Sequence, residues 1–237
     1  MKNLFFLFIA IIIVIPLLVF AYLGFVPGLS KLLDSDKPTD LGISYSQQDY
    51  KDADKLTKID RQFLPTNSPN EFEFSDKSHR VSKTLTSSQV TAWINQRTWK
   101  HYPFSNLQIK FGQNESAQVS GNVDIKKLVK YFQVLGGLYT DKTTQIDSHI
   151  PFSGTPAFYL DLVGKVEDNQ IDLKFKQVKI GKLKIPRVFV SSYTPRLIEF
   201  IQENTFLHPS VNFEDLKPTD GQLLVVGTLP NTEFVKQ

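Results

Sequence analysis

Catalysis would need a nucleophile, a base or a set of metal ligands, and the chain offers only scattered parts of these. Its four histidines, His79, His101, His149 and His208, include no His-x-x-x-His pair of the kind that grips zinc from one helix face. Ser153-Gly154, with His149 close by in sequence, comes nearest to a nucleophile and base, but no Gly-x-Ser-x-Gly elbow surrounds it and a turn is the simpler expectation. Asp161, Asp168 and Asp172 flank a hairpin and read as solvated carboxylates on strand faces. There is no phosphate loop and no dinucleotide fingerprint. The expectation is a non-enzyme, with no catalytic residue, cofactor or metal.

Two other residue sets carry binding chemistry. Lys165, Lys174, Lys176, Lys179, Lys182, Lys184 and Arg187 crowd one stretch against Glu167, Asp168 and Asp172. Lys174, Lys176, Lys179, Lys182 and Lys184 would suit an anionic surface, each adding about 1 kcal/mol near charged lipid headgroups. Edge-strand lysines that prevent sheet-to-sheet aggregation produce the same pattern. The second set is aromatic: Trp93, Trp99, Tyr102, Phe104, Tyr131, Phe132, Phe158, Phe175 and Phe200. Of these, Trp93, Phe132, Phe158, Phe175 and Phe200 are the candidates to line an apolar groove for a lipid or acyl chain. A closed core is built from the same residue types.

Composition narrows the classes further. Lys and Arg number 27 against 24 Asp and Glu, which lacks the basic excess of a nucleic-acid binder. The 19 phenylalanines promise an aromatic-rich interior. The absence of cysteine suits an oxidising compartment.

The N-terminus carries the strongest targeting signal. From Leu4 to Val26 no charge interrupts an apolar run. At about 1.5 Å per residue such a helix reaches roughly 34 Å, enough for a hydrocarbon core of about 30 Å. The run is too long for a cleaved signal peptide, and Phe20-Ala21-Tyr22-Leu23-Gly24 is a poor cleavage site. The expected organisation is a signal-anchor transmembrane helix over 1–28, a juxtamembrane linker over 29–45 and an extracytoplasmic domain over 46–237. The short tail ahead of the run favours N-in, C-out, hence a single-pass protein of the cell membrane.

The elements that must position the binding residues alternate between helix and hairpin. Ser46 with Asp49 marks a helix start, and Thr86 with Gln89 forms a capping box for a helix reaching Asn95. Phe72 and Phe74 alternate with charge as a strand does, and Val81 to Leu85 continues in extended form. Hairpins are expected at 107–111 with 117–123, at 157–166 with 170–180, and at 211–216 with 222–229. Asp124 caps a helix stopped by Gly136-Gly137, residues 138–154 are irregular, and Thr194-Pro195 opens the last helix. The apolar phase of the second hairpin flips between Phe175 and Val178 and again after Ile180, which demands a bulge and a bend, the latter at Gly181. Behind the N-terminal helix, the fold class is therefore α+β: a single domain of curved antiparallel sheet with short helices on one face.

Three segments carry a resemblance: 85–95 (Leu-Thr-Ser-Ser-Gln-Val-Thr-Ala-Trp-Ile-Asn), 178–186 (Val-Lys-Ile-Gly-Lys-Leu-Lys-Ile-Pro) and 220–228 (Asp-Gly-Gln-Leu-Leu-Val-Val-Gly-Thr). Their order resembles small bacterial envelope proteins of the YpmS and LmeA kind, which are in turn similar to the tubular lipid-binding (TULIP) fold. The resemblance covers roughly residues 80–230 and implies binding of a lipid or acyl chain near the bilayer, without catalytic residues. The alternative is an envelope interaction module that recruits a protein or an anionic wall polymer.

Overall fold

The computed structural model describes residues 14–68, 70–135, 154–206 and 208–236. In chain order the strands are β1 (Asp60–Phe63), β2 (Phe72–Phe74), β3 (Ser78–Thr86), β4 (Phe104–Phe111), β5 (Ser116–Val123) and β6 (Ala157–Glu167). They continue as β7 (Gln170–Ile180), β8 (Leu183–Lys184), β9 (Asn212–Thr219), β10 (Gln222–Pro230) and β11 (Thr232–Val235). The helices are α1 (described over residues 14–22), α2 (Leu29–Leu32), α3 (Gln47–Thr57), α4 (Ser87–Asn95), α5 (Ile125–Leu135) and α6 (Arg187–Ile201), the last running on into a π-helical turn at Gln202–Phe206.

The three expected hairpins close as β4–β5, β6–β7 and β9–β10 and join into one curled antiparallel sheet, in the order β3-β10-β9-β6-β5-β4. β6 is its pivot. One edge of β6 pairs with β7 along its length; the other pairs first with β5 and then, at Val166 and Glu167, with β9. The sheet thus divides into two wings beyond β6, and α4 lies between them, packed on β4 and β3. Val81, Leu85, Val90, Ile109, Phe111, Val225 and Leu229 meet there as the buried core. A smaller sheet, β1-β11-β2, closes one end through a parallel β1–β11 pair of distant segments.

The phase flips in the second hairpin have the expected causes. Asp161 pairs with Gln177 but Leu162 pairs with Phe175, so Lys176 is a bulged extra residue and the strand changes face there. The bend after Ile180 falls at Gly181, whose φ of 55° and contact with the Tyr22 carbonyl leave no room for a side chain.

Among the described residues no helix is long and apolar enough to cross a membrane, which corrects the expectation of an N-terminal transmembrane, signal-anchor helix. Inside the apolar run, α1 ends in a Schellman turn: Gly24 has φ 92°, its N–H bonds Ala21 O, and Phe25 N–H bonds Phe20 O at 2.9 Å. The run then folds onto the domain instead of continuing. The Ser30 and Ser35 hydroxyls donate to the buried Ala21 carbonyl, and Lys182 N–H bonds Tyr22 O at 3.1 Å. Apolar length alone reads as a span; here a glycine turn and tertiary hydrogen bonds interrupt it. Residues 1–13 lie outside the described residues.

The last helix is also longer than expected. α6 begins at Arg187, with Pro195 inside it. Thr194-Pro195 has the form of a helix start, but Thr194 Oγ1 donates back to Val190 O at 2.8 Å and the turn is continuous across the proline. The stop at Gly136-Gly137, and nearly all of the 138–154 stretch, lie outside the described residues.

Candidate functional site

The site begins with α4. Thr86 Oγ1 accepts from Gln89 N–H and the Gln89 side chain accepts from Thr86 N–H, so the capping box is complete and the first turn is set. From that start Val90, Trp93 and Ile94 fall on one face, and Arg97, just past the helix end, extends the same i, i+3, i+4, i+7 stripe.

A second stripe fixes the helix to the sheet. Among the described residues β4 is an end strand, with no strand on its outer edge. Ser87 Oγ accepts from Phe111 N–H at 3.0 Å, Thr91 Oγ1 from Ile109 N–H at 3.0 Å and Asn95 Oδ1 from Leu107 N–H at 2.9 Å. Asn95 Nδ2 also donates to Leu107 O at 2.8 Å. Residues four apart on a helix thus serve every second residue of a strand, and the exposed-edge problem is solved by side chains. Ser87 Oγ donates in turn to Gly221 O on the opposite wing, which ties the curl together.

This arrangement leaves an apolar trough between α4 and the concave face of the sheet. One hollow of about 350 Å³ is lined by Trp93, Ile94, Phe104, Leu107, Ile109, Val119, Phe158 and Leu160, with Arg97, Tyr102 and Tyr131 as its polar members. A second, of about 320 Å³, shares Ile94, Ile109 and Val119 with the first and runs on past Phe111, Leu162, Leu173, Leu216 and Leu223. α5 carries Tyr131 to the first hollow; its own start is set by Asp124, whose carboxylate accepts from Lys127 N–H at 3.0 Å.

One wall residue of the first hollow, Arg97, belongs to a charged cluster. Arg97 Nη1 donates to Glu233 Oε1 at 3.0 Å, and Arg61 Nε stands 3.6 Å from Glu233 Oε2. Both guanidinium carbons lie over the Trp93 ring, at 4.9 and 4.4 Å from its centroid. The Glu233 side chain is 4% exposed, so one dry carboxylate serves two cations. Burial lowers the Arg61 pKa from its ordinary value, and the neighbouring Arg97 charge adds to the effect. Burial likewise raises the Tyr102 and Tyr131 phenols, which keeps both protonated as donors.

The expected groove residues are divided by the fold. Trp93 and Phe158 line the first hollow. Phe132 and Phe200 stack edge to face at 5.1 Å, joined to the hollow through Tyr131, which is 5.9 Å from Phe132. Phe175 lies apart, in a polar-rimmed cleft of about 540 Å³ between β7 and α6 that also includes Lys174 and Lys176. Sequence reasoning missed the roles of Arg61, Arg97, Ile94 and Val119; the available signal was a cation continuing an apolar helix stripe.

The basic stripe is divided as well. Lys174 and Lys176 flank the β7–α6 cleft, whereas Lys182 and Lys184 sit at the β7–β8 turn, exposed. Lys179 pairs across the ladder with Lys184 and lies 5.1 Å from the Tyr159 ring centroid. Next to that turn, Leu183, Val188, Phe189 and Tyr193 expose large apolar surface, 58% for Phe189 and 62% for Tyr193. The described histidines serve the fold: His79 bonds the Asn231 side chain and Thr57 O, His101 meets Glu71 at 3.3 Å, and His208 meets Ser210. Ser153 and His149 lie outside the described residues. No protein-family model, curated protein or solved structure matches the chain.

Proposed function

We propose that this protein is a non-catalytic lipid-binding domain that takes a single acyl chain into the trough between α4 and the curled sheet. The observation that supports this reading is that two mainly apolar hollows lie side by side, with Ile94, Ile109 and Val119 as common walls. Space of this size, lined mainly by aromatic and aliphatic groups, with Arg97, Tyr102 and Tyr131 among the walls of one hollow and Lys165 and Asp172 among those of the other, has the character of a ligand site. Each methylene moved there from water contributes about 0.8 kcal/mol. The resemblance to envelope proteins of the YpmS and LmeA kind points the same way.

Mass spectrometry of the full chain purified without detergent tests the reading: a co-purifying acyl lipid is expected. Val119→Phe, which places a ring where the hollows meet, should weaken uptake of a fluorescent C16 chain by about tenfold or more while far-UV circular dichroism is kept. A protein that carries no lipid and takes up no chain overturns it.

A second reading, as an interaction module, is favoured by the exposed Leu183, Val188, Phe189 and Tyr193 beside Lys182, Lys184 and Arg187. Apolar tips ringed by cations match the interface of an anionic lipid surface. Co-sedimentation with anionic but not zwitterionic vesicles is its test.

A further inference from the structure

The trough is not uniformly apolar, and the cluster behind Arg97, unlike the salt-bridged Lys165 of the second hollow, has donors without acceptors. Arg61 and Arg97 share the one carboxylate of Glu233 within ion-pair distance, so the cluster holds an excess positive charge in a place poor in water. Among the described residues, Arg61 Nε, Nη1 and Nη2 are buried without a hydrogen-bond partner, and so is Trp93 Nε1. The 3.6 Å approach of Arg61 to Glu233 is an ion pair but too long for a hydrogen bond. Arg97, which lines the hollow itself, commits only Nη1, to Glu233. The attraction of Asp54 on α3 for Arg61 is smaller than that of Glu233. Buried donors without acceptors, and a buried charge without a full counter-charge, are both expensive. An arrangement that keeps them beside an apolar hollow is explained by an acceptor that arrives with the ligand.

Resting on the acyl-chain reading above, we infer that the trough is selective for an anionic amphiphile, whose carboxylate or phosphate head is received by Arg97, with Arg61 adding its charge from behind through the shared Glu233. The planar guanidinium fork is suited to two parallel bonds to either head group. Tyr102 and Tyr131 line the same hollow as Arg97 and supply neutral hydroxyl donors. The chain then runs from Phe104 and Phe158 past Val119 toward Leu162 and Leu173.

The purely architectural alternative is that Arg61 and Arg97 only clamp β1 and the end of α4 to β11 through Trp93 and Glu233. Displacement of a fluorescent C16 probe from the full chain separates the two, using palmitate, hexadecyl phosphate, hexadecanol and hexadecyltrimethylammonium as competitors of equal chain length, below their micelle concentrations. Palmitate and hexadecyl phosphate should bind at least about tenfold more tightly than hexadecanol, and the cationic amphiphile should be the weakest. Which of the two anions is preferred identifies the head group as carboxylate or phosphate. Arg97→Gln should lower palmitate affinity by at least about tenfold more than hexadecanol affinity, with Arg97→Lys intermediate. Equal binding of palmitate and hexadecanol to the unaltered protein overturns the inference, a comparison that needs no variant to fold. Equal loss of both ligands in Arg97→Gln also overturns it, in favour of the clamp. If no C16 compound binds, the acyl-chain reading itself is overturned, an outcome distinct from chain binding without head-group preference.

Discussion

Helices α4 and α6 use the same residue types in opposite ways. In α4, Ser87, Thr91 and Asn95 direct their side chains out of the helix to the backbone of β4. In α6, Ser192 Oγ and Thr194 Oγ1 turn back to their own helix, to Val188 O and Val190 O. α4 has a reciprocal capping box; α6 starts at Pro186 with no side-chain cap and buries no residue. The segment beyond α4 is held by an ion pair and a histidine as well. Lys100 and His101 approach Glu71 at 2.9 and 3.3 Å, and Lys236 of the C-terminal end reaches the same carboxylate. The contrast separates a fixed wall of the trough from an outlying helix that contributes little to holding the fold. A polar side chain on a helix face stabilises the tertiary structure only where a neighbour has backbone groups to satisfy.

The strongest way to break the comparison is to cut the α4–β4 seam. Asn95→Leu leaves the N–H and C=O of Leu107 without partners and should cost about 3 kcal/mol in urea unfolding. Thr86→Ala removes only the cap of α4 and should cost about 1 kcal/mol by the same measurement. Acid should act on the α4 end more gently and in two stages. Burial and the adjacent Lys100 hold His101 below its ordinary pKa of about 6.5, against the pull of Glu71. The folded state therefore disfavours the proton, and stability should decline as pH falls below about 6.5, where the unfolded chain protonates first. Burial works to raise the Glu71 carboxyl, but Lys100 and Lys236 outweigh it and hold it below its ordinary range. Its contribution is complete above about 4.5 and is lost as pH falls through the lower folded value. His101→Gln should flatten the upper stage and Glu71→Gln the lower one in urea titrations against pH. The smallest effect belongs to α6: Phe189→Ser should change stability by no more than about 0.5 kcal/mol. The same variant should weaken co-sedimentation with anionic vesicles, and a large stability loss would show that α6 is part of the wall after all.

Much of the local framework is legible without coordinates, because its causes lie within a few residues. Ser46–Asp49 and Thr86–Gln89 close as reciprocal boxes, and the phase flip after Phe175 marks a bulge at Lys176. The beginning of α6 was not legible: Val188 and Phe189 face outward and leave no burial period, while Thr194-Pro195 imitates a start. The parallel β1–β11 pair joins Asp60 to Thr232, so nothing local to either strand announces it. The apolar run before Val26 has the length of a membrane span, but length does not encode the turn at Gly24 or the serine hydroxyls that hold Ala21.

The candidate site divides along the same line. The chain alone determined that aromatic residues are plentiful and that α4 presents Trp93 on an apolar face, since both follow from composition and helical period. Only the tertiary structure decided that Trp93 and Phe158 share a hollow while Phe175 lies in another, and that Arg97 in the wall of the first meets Glu233 and, through it, Arg61. Those residues lie on β1, after α4 and on β11; the parallel register that sets Arg61 opposite Glu233, and the placement of the α4 end beside that small sheet, bring them together, not spacing in sequence.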